Sequence, residues 1–272
     1  VVVLDSSSAW QSVRQMVYAN RDVLIAIAGV FFLLPGLIGA VVLPTPELTS
    51  GMNQVAMADA ITRFYTKWWP ALVALSLPMI VGYLTVLVVF IDRGRPTVGA
   101  AIVAAIRLSP AYLVAQVLVS FVLSVLWVAV LSALAAVLPQ ILAVVASLTA
   151  MAYPLARLAL IGPEMVAQRR GNPLRAIVGA LTRTRGHGLR ILLYFGPALA
   201  LFLVIYALIM IVVGLIVAGV AHGEVQRLIS EAVGAVLFAG GYVFYAAIVV
   251  STYDQLGPVH GADEAISPSS PS

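Results

Sequence analysis

The sequence predicts an all-α, polytopic membrane helix bundle with six transmembrane helices, and three observations carry that prediction. Hydrophobic residues make up 62% and charged residues 10% of 272 positions, with a mean hydropathy of +1.07. Soluble domains carry about 25% charged residues, so a water-soluble fold of this length has no way to hide this much apolar surface. The apolar residues also gather into runs of the roughly 20 residues that cross a hydrocarbon layer. Finally, Arg and Lys are divided very unevenly between alternate loops.

Taken in order, Val23–Leu43 is the first span and Pro70–Ile91 the second. The apolar run Pro110–Ile161 is too long for one crossing. Pro139-Gln140 divides it into Pro110–Leu138 and Gln140–Ile161, expected to form a tight hairpin. Ile191–Val220 and Ala232–Thr252 complete the set. Residues 1–256 are expected to form one integral membrane domain, and 257–272, rich in Ser, Pro and acid, a disordered tail. Val1–Asn20 has no apolar core of its own, so no cleavable signal is expected there.

Orientation follows from the basic residues, which accumulate on the cytoplasmic side. One set of loops and helix ends holds Arg14, Arg21, Arg93, Arg95, Arg107, Arg157, Arg169, Arg170, Arg175, Arg183, Arg185 and Arg190; the other holds Arg63, Lys67 and Arg227. Both termini are therefore expected in the cytoplasm.

The spans suggest an internal repeat. Amphipathic segments precede the odd-numbered spans at Ser6–Asn20, Pro96–Leu108 and Pro173–Arg185, each closed by a small or polar residue (Asn20, Ser109, Gly186). Arg93-Gly94-Arg95-Pro96 matches Arg170-Gly171-Asn172-Pro173. The unit is an interfacial helix plus a helical hairpin, used three times. In the first external loop Met57, Ile61, Phe64, Tyr65 and Trp68 share one face opposite Asp59, Arg63 and Lys67. That stretch is expected to form a separate helix lying flat on the outer leaflet.

Few residues offer chemistry. The absence of cysteine excludes disulfides and thiolate chemistry, and His187, His222 and His260 show no metal-ligand spacing. Nucleotide-binding and hydrolase motifs are missing too, so no cofactor, metal site, catalytic residue or nucleic-acid contact is expected. Arg157, read as the one ionisable residue inside a span, either snorkels to the headgroups or contacts a phosphate or carboxylate. Tyr112, Gln116, Ser120 and Ser124 form a polar stripe at i+4 spacing on the third span, serving interhelical hydrogen bonds or a substrate path. The loop Glu164–Arg190 is the most basic; its arginines either only set topology or attract anionic lipid. His187, between two glycines, reads as a solvated turn residue.

The stretch Arg157, Pro163, Arg170-Gly171, Pro173, Ala176-Ile177 and Thr184-Arg185-Gly186, together with Tyr253-Asp254 and Leu256, resembles the membrane domain of bacterial glycerophosphodiester phosphodiesterases and its stand-alone integral membrane relatives. The resemblance is to the membrane domain alone. It implies a helical membrane module and no hydrolase activity.

The expected function is that of a non-enzymatic membrane module contacting anionic lipid headgroups or a partner membrane protein, which includes a second copy of the chain. Arg157, Arg169, Arg170 and Arg185 are the headgroup residues expected. The alternative is a small permease or lipid transporter with a polar path along the third span. Ion-coupled carriers commonly bury acidic residues, and none is expected inside a span here.

Overall fold

The computed structural model describes residues 6–44, 51–92, 94, 96–169, 171–220 and 222–257. The expected tail, apart from Gly257, and Arg93, Arg95 and Arg170 lie outside them. The described chain is helical throughout, and six helices are long and apolar enough to cross a membrane. Their order is α1 (Ser6–Ala19), α2 (Arg21–Ala28), a π turn at Gly29–Leu33, α3 (Leu34–Val42), α4 (Gln54–Ile91), α5 (Val98–Ala135), α6 (Gln140–Leu158), α7 (Ile161–Gln168), α8 (Pro173–Arg183), α9 (Gly188–Val220) and α10 (Glu224–Gln255).

The first span is α2 and α3 joined through the π turn. Pro35 has no amide hydrogen, so the carbonyl one turn earlier loses its donor and the ring crowds it. The helix widens there instead of breaking: Leu34 N–H reaches back to Gly29 O, and Phe32 is buried beneath the bulge.

Pro139-Gln140 ends one span and begins the next, as the sequence predicts, with α5 stopping at Ala135 and α6 starting at Gln140. Two expected boundaries are absent. The external amphipathic stretch is the first part of α4, a continuous helix of 38 residues capped by Asn53, whose side chain accepts from Ala56 N–H at 2.8 Å. No breaker separates Trp68 from the apolar run, and Pro70 is carried inside the helix.

The second amphipathic segment is likewise continuous with its span, so the repeat lacks its interfacial helix in that copy. Thr97 caps α5, which then runs through Ser109 and Pro110 to Ala135. Ser109 does not terminate the helix because its hydroxyl donates back to Ala105 O at 2.8 Å. In the third copy Asn172 caps α8, accepting from Leu174 and Arg175 N–H, with Pro173 in the first turn. That helix does stop, at a turn where Gly186 adopts φ +79°. In the first copy α1 also stands apart, ending where Asn20 donates its side-chain amide to Met16 O.

Five long elements form a ring in which α4 packs on α5, α5 on α6, α6 on α9, α9 on α10 and α10 on α4. The first span and α1 pack outside it, mainly on α10 and α4. At the arginine-rich end every residue from Tyr83 to Val88 on α4 and from Ala246 to Tyr253 on α10 is buried. Helices enclosed on all faces at that level are the centre of the core.

Candidate functional site

Three features gather in the arginine-rich half: a buried ion pair, a basic cleft and an aromatic cavity. The ion pair overturns the expectation that no acid lies inside a span. The fourth span does not end at Ile161; after a turn at Ala159-Leu160 it continues as α7, and the whole apolar element is Gln140–Gln168. Glu164 therefore sits within it, not at the start of a loop.

The Glu164 and Arg183 side chains are 3% and 8% exposed and meet at 3.1 Å between Oε2 and Nε. Gln168 donates to Glu164 Oε1. Arg183 donates through Nη1 to Gly257 O and stacks over Tyr253, 4.2 Å from the ring centroid. Close approach of α8 to α7 depends on Gly179, where a Cβ would lie 2.6 Å from Glu164 Oε1. A buried charge needs a partner and filled hydrogen bonds, and this cluster supplies both while tying α7, α8 and the end of α10 together. The sequence offered little to reveal it, because Glu164 and Arg183 look like ordinary members of a charged loop until α8 folds back on α7.

Arg157 performs a related task. Its Nε donates to Thr184 Oγ1 at 3.0 Å and its Nη2 to Leu181 O at 2.6 Å, while Tyr153 lies beneath the guanidinium. Thr184 is fully buried and donates in turn to Ala180 O. Arg157 thus holds the Leu181 carbonyl and the Thr184 hydroxyl at the end of α8, an interaction that the C-terminal pole of a helix favours.

The basic cleft lies between the end of α4, the start of α5 and α7. Its volume is about 520 Å³; Arg107, Arg169 and Asp92 line it against apolar walls that include Val88, Ala104 and Val166. Arg169 occupies the left-handed region at φ 48°, closing α7, and pairs with Asp92 at 3.0 Å. Of the four headgroup residues expected, Arg169 is in the cleft, Arg157 is against α8, Arg185 is exposed in the turn after α8, and Arg170 lies outside the described residues. Arg107, which sequence reading counted only toward topology, joins the cleft because α5 begins earlier than expected. His187 is in the same turn as Arg185, its Nδ1 3.2 Å from Arg185 O.

Comparison with known proteins adds no relative. No family model, curated protein or solved structure matches the chain. The resemblance carried by Arg157 to Gly186 and by Tyr253, Asp254 and Leu256 therefore rests on those residues alone. Their local roles are nonetheless physical: Arg157 and Thr184 close α8, and Gly186 supplies the positive φ that turns the chain into α9.

The polar stripe divides in two. Tyr112 is buried, accepts from Gln116 Nε2, and with it lines an open aromatic cavity of about 430 Å³. Ser120 and Ser124 instead face a groove between α5 and α6, where the Ser124 hydroxyl donates to Ser120 O at 2.7 Å. The interhelical bond nearby comes from Trp127 Nε1 to Ser147 Oγ at 3.2 Å. Among the described residues no three His, Asp or Glu side chains gather as a metal-ligand set.

Proposed function

We propose that the protein is a non-enzymatic integral membrane module that binds the headgroup of an anionic lipid in the cleft between α4, α5 and α7. The observation that carries this reading is that Arg107 and Arg169 both line a space of about 520 Å³ with apolar walls. Two arginines and one carboxylate line the cleft, and Asp92 pairs with Arg169, so the lining carries a net positive charge. A planar guanidinium presents a fork of donors matched to phosphate oxygens. The apolar walls suit the first carbons of the acyl chains below such a headgroup.

Within this reading the arginine-rich end faces the cytoplasm of a bacterial cell and the membrane is the inner one, supported by the asymmetry of the basic residues. The resemblance to the phosphodiesterase membrane domain also favours a module over an enzyme. A carrier with a continuous polar path is less well supported, because Ser120 and Ser124 turn away from the cavity that holds Tyr112 and Gln116.

The test is lipid retention by native mass spectrometry with phosphatidylglycerol and phosphatidylcholine. The wild type is expected to retain phosphatidylglycerol selectively, and the Arg107→Lys/Arg169→Lys double variant to lose most of that selectivity at unchanged thermal stability. Lysine preserves the charge that sets topology but not the donor fork. Equal selectivity in the two proteins would remove the cleft as a headgroup site. Arg107→Lys alone decides the matter if the double variant is unstable.

A further inference from the structure

We infer that the aromatic cavity is a binding site for a neutral, lipid-phase molecule whose polar part is a flat ring carrying carbonyl oxygens, a quinone in chemical class. The site is separate from the headgroup cleft, shares no lining residue with it, and does not depend on that reading.

The cavity is a gap in the helix ring between α4, α5, α9 and α10, with a volume of about 430 Å³. Small-molecule sites of several hundred Å³ are mostly apolar and aromatic, with a few placed polar groups that fix orientation. The walls here follow that pattern, with the rings of Tyr83, Tyr112, Phe195, Phe202, Tyr242 and Tyr245 around the space. They are arranged and not merely numerous. Tyr83 stacks on Tyr245 with an interplanar angle of 28°, and Phe202 sits on Gly241, where a Cβ would come within 2.4 Å of its ring. Aromatic faces hold a planar ring by offset stacking, a gain beyond the apolar area that a saturated chain would also bury.

Charge and hydrogen bonding narrow the ligand further. Among the described residues that line the cavity none is Asp, Glu, Lys, Arg or His, so an ionic ligand would enter unpaired. Tyr112 is 7% exposed, and its oxygen already accepts from Gln116 Nε2. The Tyr112 hydroxyl proton is left to donate, and a carbonyl oxygen is the acceptor it can meet.

The route of entry sets the phase from which the ligand comes. Leu199, Phe238 and Tyr245, at the cavity's edge, are 58%, 43% and 38% exposed, and all three lie inside the apolar spans α9 and α10. An opening at that depth faces hydrocarbon, so the ligand arrives dissolved in the bilayer.

The experiment uses the full chain in detergent micelles, with decylubiquinone and dioctanoylglycerol as probes and the saturable rise in thermal midpoint as readout. Decylubiquinone is expected to raise the midpoint saturably and dioctanoylglycerol to leave it nearly unchanged. Tyr112→Phe keeps the ring and removes the hydroxyl's bond to the ligand, together with the one it accepts from Gln116, so about tenfold more quinone should be needed. Ala198→Phe, which fills the space from α9, should abolish the shift, and Ser120→Ala, outside the cavity, should not alter it. A quinone shift that survives Ala198→Phe, or saturates identically in Tyr112→Phe and wild type, overturns the inference. An equal shift with dioctanoylglycerol does so as well, since the cavity would then accept any acyl chain carrying a carbonyl. Should Ala198→Phe fail to fold, the isosteric Tyr112→Phe comparison still decides.

Discussion

On α4 every side chain from Tyr83 to Val88 is buried, whereas none is buried between Val55 and Trp69 on the same helix. The contrast recurs on α10, where Ala246 to Tyr253 are all buried and nothing between Glu224 and Gly234 is. The unburied stretches carry charge (Asp59, Arg63 and Lys67 on α4; Glu224, Arg227 and Glu231 on α10), yet their apolar residues Val55, Ile61, Val225 and Leu228 are exposed as well, so hydrophobicity alone does not account for the difference. In a bilayer the lipid tails are as apolar as the side chains, and helices associate through close packing and polar contacts. Those are what the arginine-rich half possesses. Gly82, Gly162, Gly179 and Gly188 each receive a neighbouring side chain closely enough that a Cβ would come within 3.0 Å of it, while Gly214 and Gly219, in the far half of α9, have open space around them. The buried Glu164–Arg183 pair and the Arg157–Thr184 bond also lie in the packed half. The ion pair of the opposite half, Arg63–Asp59 at 2.8 Å, is 74% and 60% exposed.

The largest effect expected is from breaking the buried pair. Arg183→Ala leaves Glu164 without its counter-ion and should cost about 3–5 kcal/mol of stability, read from unfolding in detergent. Replacing both residues, as Glu164→Met/Arg183→Leu, should recover most of that loss. A double variant as unstable as the single one would mean that the polar cluster itself, and not the uncompensated charge, holds the packed half.

Next in size is the packed core. Leu87→Ala, at a fully buried position, is expected to cost about 2–5 kcal/mol by opening a cavity. Leu215→Ala, 71% exposed on α9, should stay within about 0.5 kcal/mol. Similar losses at the two sites would show that something covers α9 in the purified protein.

Glycine substitutions give a finer reading of the same contrast. A Cβ at Gly82 would fall 2.4 Å from Phe31 Cβ, so Gly82→Ala should destabilise by about 1–3 kcal/mol. Gly214→Ala meets nothing and should be neutral or stabilising by up to about 1 kcal/mol, the propensity gain in a helix interior. Circular dichroism melts of the two variants side by side would check the ordering.

The smallest effect belongs to the exposed pair. Arg63→Ala is expected to change stability by less than about 0.5 kcal/mol. A cost comparable to Arg183→Ala would break the comparison, since the two pairs would then be equivalent despite their different burial.

Much of the fold was legible before any coordinates. Runs of apolar residues give the six spans, and Pro139-Gln140 gives the hairpin between α5 and α6, because proline and loss of helical continuity act locally. The same local reasoning failed at Ser109 and at Trp68-Trp69. A serine can end a helix or satisfy itself on the preceding carbonyl, and the sequence does not distinguish these; the hydrogen bond from Ser109 to Ala105 O does. The candidate sites were less legible. Arg169 was singled out for its charge, but its partner Asp92 lies 77 residues away in sequence. Arg107 belonged to a segment read as a separate helix, so its place in the cleft was out of reach.

Composition and pattern alone determine that this chain is helical, apolar and crosses a membrane repeatedly, because each span must satisfy its own backbone hydrogen bonds within itself. That requirement is local and leaves its mark in contiguous sequence. Which side chains become partners is not local. Glu164 and Arg183 lie on separate helices, brought together by the packing of α8 on α7 and the small surface of Gly179; Tyr112 and Phe202 share a cavity only because α5 and α9 stand apart across the ring. Neither the ion pair nor the cavity has a period or a spacing, so only tertiary packing could decide them.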